Sequence, residues 1–259
     1  MTDIALRYCA AQTIARDLGR LAMDYFTDRT KLGISMKGAQ DWLTIADGTV
    51  EARFRERIAE LFPSDGVMGE EQGGTDATAL WIIDPIDGTA NFAHGDRQWC
   101  ISIGFLDHGK PTFGVIYSPA LDEMFLARTG HGATMNGKPI HAADTSDIAR
   151  AALEIGWSNR RPLDEYLDRV RAAFEAGAHV KRGASGALGL AYAALGRTDG
   201  YAETHINSWD VAAGVVIAQE AGCWINDFFA EKSALTKGNP IYCCAPGIAP
   251  AFRKLMGVG

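Results

Sequence analysis

Carboxylates crowd one stretch of this 259-residue chain. Five acids, Glu70, Glu71, Asp76, Asp84 and Asp87, fall within 18 residues, where the chain's 32 acids in 259 positions would place about two. Four of them form two tight groups, Gly69-Glu70-Glu71 and Asp84-Pro85-Ile86-Asp87-Gly88-Thr89. The second group directly follows the apolar run Ala79-Leu80-Trp81-Ile82-Ile83, which reads as a strand buried on both faces. Ligand chemistry collects where strands end at a crevice. Carboxylates gathered there repel one another unless a cation joins them. Hard oxygen donors at this density suit Mg²⁺.

Each group also has a plain reading. Asp-Pro and Asp-Gly are ordinary turn dipeptides, and Glu-Glu suits a solvated acidic tip. Two metal and phosphate patterns come close and do not fit. An EF-hand wants acids at alternate positions and a Glu as twelfth residue; here the acids are three apart and the twelfth residue is Gly95. The D-x-D-G-T pattern of haloacid dehalogenase phosphatases is one residue shorter than D-P-I-D-G-T, which would aim the two carboxylates differently.

The rest of the composition narrows the classes. Lys plus Arg is 25 against 32 acids, a net charge of −7. That argues against a general nucleic-acid or anionic-membrane surface. It allows an anionic substrate if metal ions supply positive charge locally. The five cysteines, Cys9, Cys100, Cys223, Cys243 and Cys244, have no metal or redox spacing and read as reduced thiols. The six histidines show no zinc pattern. No apolar run is long enough for a membrane helix. The start lacks the basic and apolar regions of a secretory signal, so a cytoplasmic protein is expected.

The elements that must position these acids follow from periodicity. Residues 4–26 predict an amphipathic helix, with Ile14, Leu18, Leu21 and Tyr25 on one face. A second helix is expected after Asp47, with Val50, Phe54, Ile58 and Leu61 in register and a stop at Pro63. From Trp99 to about His141 the chain alternates, with turns at Asp107-His108-Gly109, Ser118-Pro119 and Asn136-Gly137, and predicts an antiparallel meander. Strands are then expected at 151–156, 178–181 and 200–202, and helices at 162–176, 185–195 and 209–221. This order argues for a layered α+β architecture in one unit.

Four blocks resemble the inositol monophosphatase family. The stretch Trp81-Ile82-Ile83-Asp84-Pro85-Ile86-Asp87-Gly88-Thr89-Ala90-Asn91-Phe92 is similar to its signature. Gly69-Glu70-Glu71, Ser208-Trp209-Asp210-Val211-Ala212-Ala213-Gly214 and Thr44-Ile45-Ala46-Asp47 are similar to its other motifs, in the family's order. The resemblance spans nearly the whole chain. It implies an αβαβα sandwich of the inositol monophosphatase and fructose-1,6-bisphosphatase type, as one domain over 1–259 with halves of about 1–146 and 147–259. It implies hydrolysis of a small phosphomonoester by a metal-activated water, with two or more Mg²⁺ ions and lithium sensitivity.

Carried over by residue, Glu70, Asp84 and the Ile86 carbonyl resemble ligands of one Mg²⁺. Asp84, Asp87 and Asp210 resemble ligands of a second. Gly88 and Thr89 resemble the phosphate-holding backbone, and Thr89 with Asp47 resembles the pair that orients the water beside Glu70. Glu203, seven residues before Asp210, resembles the glutamate that binds inositol hydroxyls. Ala184-Ser185-Gly186 resembles the segment bordering the sugar ring, with Ala184 where Gly is usual and Gly186 where Ala is usual. Lys37 resembles a basic residue near the metal mouth. The implied substrate is a small phosphorylated polyol, inositol monophosphate foremost. Alternatives are histidinol phosphate, or nucleotide and sugar phosphates. A regulatory binding protein that keeps the fold is the non-enzymatic alternative. A homodimer is also implied.

Overall fold

The computed structural model describes residues 3–38, 41–74 and 77–258. Asp76 lies outside them, and of Lys37 only the backbone is described. The helices are α1 (Asp3–Thr27), α2 (Ile45–Leu61), α3 (Thr89–His94), α4 (Leu163–Glu175), α5 (Gly186–Ala194), α6 (Ser208–Glu220), α7 (Ala234–Lys237) and α8 (Ala249–Met256). The strands begin with the small pair β1 (Ser35–Gly38) and β2 (Asp41–Leu43). Next come β3 (Gly66–Gly69), β4 (Gly73–Gly74), β5 (Ala79–Asp87), β6 (Cys100–Asp107), β7 (Lys110–Ser118), β8 (Glu123–Arg128), β9 (Ala133–Met135) and β10 (Lys138–Pro139). The second half adds β11 (Ala152–Ile155), β12 (His179–Lys181), β13 (Gly200–Ile206), β14 (Trp224–Ile225) and β15 (Asn239–Cys244).

Among the described residues, β3 to β10 form one sheet in the order β10-β9-β8-β7-β6-β5-β3-β4. Strands β6 to β10 are the expected meander. The other sheet runs β12-β11-β13-β15-β14, with β11 parallel to both β12 and β13. Helices α1 and α2 cover the outer face of the large sheet, burying Ile14, Leu18, Val50, Phe54 and Ile58 against Trp81, Phe105 and Phe113. Leu61, expected on that stripe, is exposed at the end of α2. Helices α5 and α6 fill the space between the sheets, which is why they are apolar all round. Helices α4 and α8 cover the far face of the small sheet, around Leu153, Ile155, Ala173 and Phe252. The result is the αβαβα sandwich.

Two glycines set the depth of α6. Gly104 on β6 pairs with Gly114 on β7. A Cβ at Gly104 would lie 2.5 Å from Ala212 Cβ, and one at Gly114 would lie 2.2 Å from the Ala213 carbonyl oxygen. The helix rests directly on the sheet backbone there, and Asp210 stands one turn away. No helix among the described residues is long and apolar enough to cross a membrane.

Candidate active site

Strand register brings the first acids together. Strands β3 and β5 run parallel with Gly69 opposite Ile83, so Glu70 and Asp84 leave the same sheet edge side by side. Asp84 and Asp87 are three apart, and a regular strand would send them to opposite faces. The β5–β6 ladder prevents this. Asp84 pairs with Ser102 and Asp87 with Cys100, so three steps on β5 match two on β6. The extra residue is a β-bulge, which returns Asp87 to the face of Asp84. Pro85 suits it, having no N–H to offer the ladder. The Ile86 N–H, freed by the bulge, donates to Asp84 Oδ1 at 3.0 Å.

Asp210 meets this pair from the other side. It is the third residue of α6 and caps it, accepting from the Asn207 N–H at 2.9 Å. One oxygen each of Asp84, Asp87 and Asp210 lie within 4.8 Å of one another. Burial raises the Asp84 carboxyl well above its usual range, and the charges of Glu70, Asp87 and Asp210 add to it. Burial pushes Asp87 up to about 7, with the Asp210 charge next in weight. Asp210 is raised by burial too. Three oxygen donors that cannot all ionise alone are a fitting seat for a hard divalent cation. Glu70 stands outside this tight trio, near enough for its charge to reach Asp84.

Beyond the bulge, Gly88 has φ 93°, which favours glycine, and a Cβ would lie 2.8 Å from the Gln98 carbonyl oxygen. This turn starts α3 at Thr89. The first-turn N–H groups of a helix have no carbonyl within it to bond, and Gly88, Thr89 and Ala90 line the cavity. The Thr89 hydroxyl lies 3.1 Å from Asp47 Oδ1 and 2.9 Å from the Ile86 carbonyl. Asp47 is not ahead of α2, as the sequence suggested. It is the third residue inside, and its Oδ2 accepts from the Thr44 N–H and hydroxyl at 2.9 and 2.6 Å. Burial pushes its carboxyl up to about 6.

The Ala184-Ser185-Gly186 segment also lines this cavity, but its donors are directed at Asp87. The Ser185 hydroxyl donates at 2.5 Å, Gly186 N–H at 3.2 Å and Ala187 N–H at 2.7 Å. Asp87 thus sits on the N-terminus of α5. Ala184 adopts φ 59°, a left-handed conformation that costs roughly 1–2 kcal/mol for an L-residue. Ala184→Gly is expected to raise the unfolding free energy by about 0.5–1 kcal/mol, after glycine's extra chain entropy is subtracted. Urea titration at constant slope checks it; a lower midpoint contradicts it.

Glu203 lies on β13, which runs further than expected, and lines the same cavity. The Tyr201 hydroxyl donates to Glu203 Oε2 at 2.6 Å. Burial pushes the Glu203 carboxyl up to about 8, against that hydrogen bond. Gly156 leaves room for it, since a Cβ there would lie 2.1 Å from Oε2.

The sequence reading missed Glu51. It is fully buried on α2, one turn after Asp47. Its carboxylate accepts from the Glu71 and Gln72 N–H groups at 2.7 and 3.1 Å and pairs with Arg55 at 2.8 Å. It lies against Gly69, where a Cβ would meet it at 2.4 Å. Glu51 therefore anchors the turn that carries Glu70. An acid one turn from Asp47, beside the buried Val50 and Phe54, was the available signal. Glu51→Gln is expected to raise the Mg²⁺ concentration for half-maximal activity on the order of tenfold to a hundredfold. A metal titration of activity checks it, and an unchanged midpoint contradicts it. Glu154 was also missed; it is buried, paired with Lys181 at 3.1 Å, and accepts from the Gly183 N–H at 2.9 Å.

Comparison with known proteins shows the family and the fold. Residues 4–256 match the inositol monophosphatase family. The chain is 33% identical over 252 residues to an inositol-1-monophosphatase of Rhizobium meliloti, covering 95% of this chain and 91% of that protein. It is likewise 33% identical over 265 residues to Nus factor SuhB of Pseudomonas aeruginosa, covering 99% and 94%. The solved structure of inositol monophosphatase from Anabaena superposes with a TM-score of 0.85 at 32% identity, covering 100% of this chain and 98% of that one. Bulge, caps and acidic trio are thus found in a chain that belongs to the inositol monophosphatase family, a family of metal-dependent phosphatases.

Proposed function

We propose that this chain is a Mg²⁺-dependent phosphomonoesterase acting on a small phosphorylated polyol, inositol monophosphate foremost. The observation that carries the reading is the convergence of Asp84, Asp87 and Asp210 within 4.8 Å, next to the Thr89–Asp47 pair. Glu70, Asp84 and the Ile86 carbonyl would hold one ion, and Asp84, Asp87 and Asp210 another. Bound there, the ions would supply positive charge to the phosphate and acidify a water.

The chain's own groups do the rest. Backbone N–H groups at Gly88 and Thr89 bind phosphate oxygens at the start of α3. The Thr89 hydroxyl has one hydrogen, and donating it to Asp47 Oδ1 leaves its lone pairs to accept from the attacking water. That fixes the water's direction, with Glu70 lining the same cavity. Asp47 cannot swing away, because Thr44 holds its other oxygen. Glu203 accepts from polyol hydroxyls while Tyr201 keeps its carboxyl in place. No side chain needs to form a covalent phosphoenzyme.

Phosphate release from inositol 1-phosphate, with and without Mg²⁺, tests the proposal. Release that requires Mg²⁺ and exceeds that from histidinol phosphate and nucleotide phosphates is expected, compared by kcat/KM. Preference for histidinol phosphate would remove the polyol assignment and keep the metal phosphatase. No release from any of them would leave the regulatory reading.

A further inference from the structure

The cavity beside the carboxylates holds about 220 Å³ and continues into an outer chamber of about 400 Å³. Glu70, Trp157, Arg182, Glu203, Ile206 and Asp210 line both, so the two are one space. The outer chamber adds a second guanidinium, Arg160. Both arginines are exposed. Arg160 Nη1 donates to the Asn207 side chain at 3.1 Å, which fixes it beside the start of α6. Arg182 lies in the link between β12 and α5, and its charge reaches Glu203 and Glu154. Among the described residues neither arginine has an ion-pair partner within 4.0 Å.

The nearby carboxylates are otherwise engaged. Glu203 is held by Tyr201, Glu154 by Lys181 and Asp210 by Asn207. Two guanidinium forks thus border a space larger than the one next to the phosphate-binding turn. Such forks match carboxylate and phosphate oxygens in pairs.

We propose that the outer chamber is a second anion-binding subsite, so that a phosphorylated polyol bearing another anionic group at its far end is favoured over its uncharged match. This rests on the phosphomonoesterase reading above. The shared wall carries Glu70, Glu203 and Asp210, whose acceptor oxygens offer no partner to an anion held close to the scissile phosphate. The second charge must pass that wall to reach Arg160.

Two matched pairs test the subsite. Sorbitol 6-phosphate and 6-phosphogluconate differ at the far end by a hydroxymethyl against a carboxylate. Inositol 1-phosphate and inositol 1,4-bisphosphate differ by a phosphate. The expected result is a kcat/KM preference for the anionic member of at least one pair, on the order of tenfold to a hundredfold. The pair that shows it identifies the anion. The preference should fall close to one in the Arg160→Gln/Arg182→Gln double variant. A wild-type ratio near one in both pairs overturns the subsite, as does a preference the double substitution leaves unchanged. If no member is hydrolysed with Mg²⁺, the phosphatase reading has failed instead. Calorimetric binding of the non-hydrolysable phosphonate analogues then decides the subsite. Tighter binding of the anionic analogue by the wild type than by the double variant supports it, and equal binding overturns it.

Discussion

Asp84→Asn is expected to abolish Mg²⁺-dependent phosphate release while leaving a folded protein. Asn keeps the shape and the oxygen that accepts from the Ile86 N–H, but it lacks the charge a hard cation needs. Loss of the metal-based stabilisation should lower kcat roughly a thousandfold or more. The same substitution should stabilise the protein when no metal is present. In the wild type, burial and the charges of Glu70, Asp87 and Asp210 hold the Asp84 carboxyl well above its usual range. Asp87 is held up to about 7, against 3.8 for a free carboxyl.

A carboxyl raised in the folded state contributes its stability below the unfolded value and loses it as pH rises to the folded value. Between those values the folded protein binds more protons, so stability falls with pH. For Asp87 the window runs from 3.8 to about 7. Metal-free wild type should therefore weaken by on the order of a few kcal/mol across it. Mg²⁺ should restore the loss at neutral pH, and Asp84→Asn should lessen it by the share that the Asp84 carboxyl itself contributes. Melting temperatures at pH 5 and pH 8, with chelator and with Mg²⁺, check this. Metal-free stability that rises over that range, or near wild-type turnover by the variant, contradicts the assignment.

Thr89→Ala should lower kcat on the order of 10²–10⁴-fold and leave Mg²⁺ affinity nearly unchanged. The hydroxyl touches Asp47 and the Ile86 carbonyl, and none of the acidic trio depends on it. Asp47→Asn should act through the same unit. Its amide end can face Thr89, leaving the hydroxyl no acceptor there and reversing the direction of that hydrogen bond. The double variant should then be hardly slower than the worse single one. Losses that multiply would show that the two residues act separately.

The sequence made the order of helices and strands legible wherever one face is buried and the run is long. That covered α1, α2, α5, α6 and the meander. It was blind to short strands such as β14, at the sheet edge, and β15 beside it, where two to six residues carry no usable period. The acids of the site were legible as types and blocks. Their convergence was not. Asp84 and Asp87 meet only because a bulge offsets their odd spacing, and Pro85 alone hints at it. Glu51 was hidden because a charged residue on a helix reads as solvent-facing by default, and only tertiary contact reveals the Glu70 turn it holds. Ser185 and Gly186 line the cavity, and their donors serve Asp87.

Three of these carboxylates are also helix caps. Asp47 closes the start of α2, Asp210 that of α6, and Asp87 that of α5. Removing such a cap costs typically about 1 kcal/mol whether or not any reaction occurs. A lineage that abandoned catalysis would still be selected to keep them, for the sake of folding. Their persistence among descendants is therefore weak testimony to a living enzyme. Asp84 caps no helix among the described residues; its carboxylate accepts from the Ile86 N–H of its own bulge and shares a hydrogen bond with Asp210, and in the absence of metal its neighbours oppose its charge. Relaxed selection should erase Asp84 first, which makes it the position to inspect when deciding which descendants still turn over a phosphate.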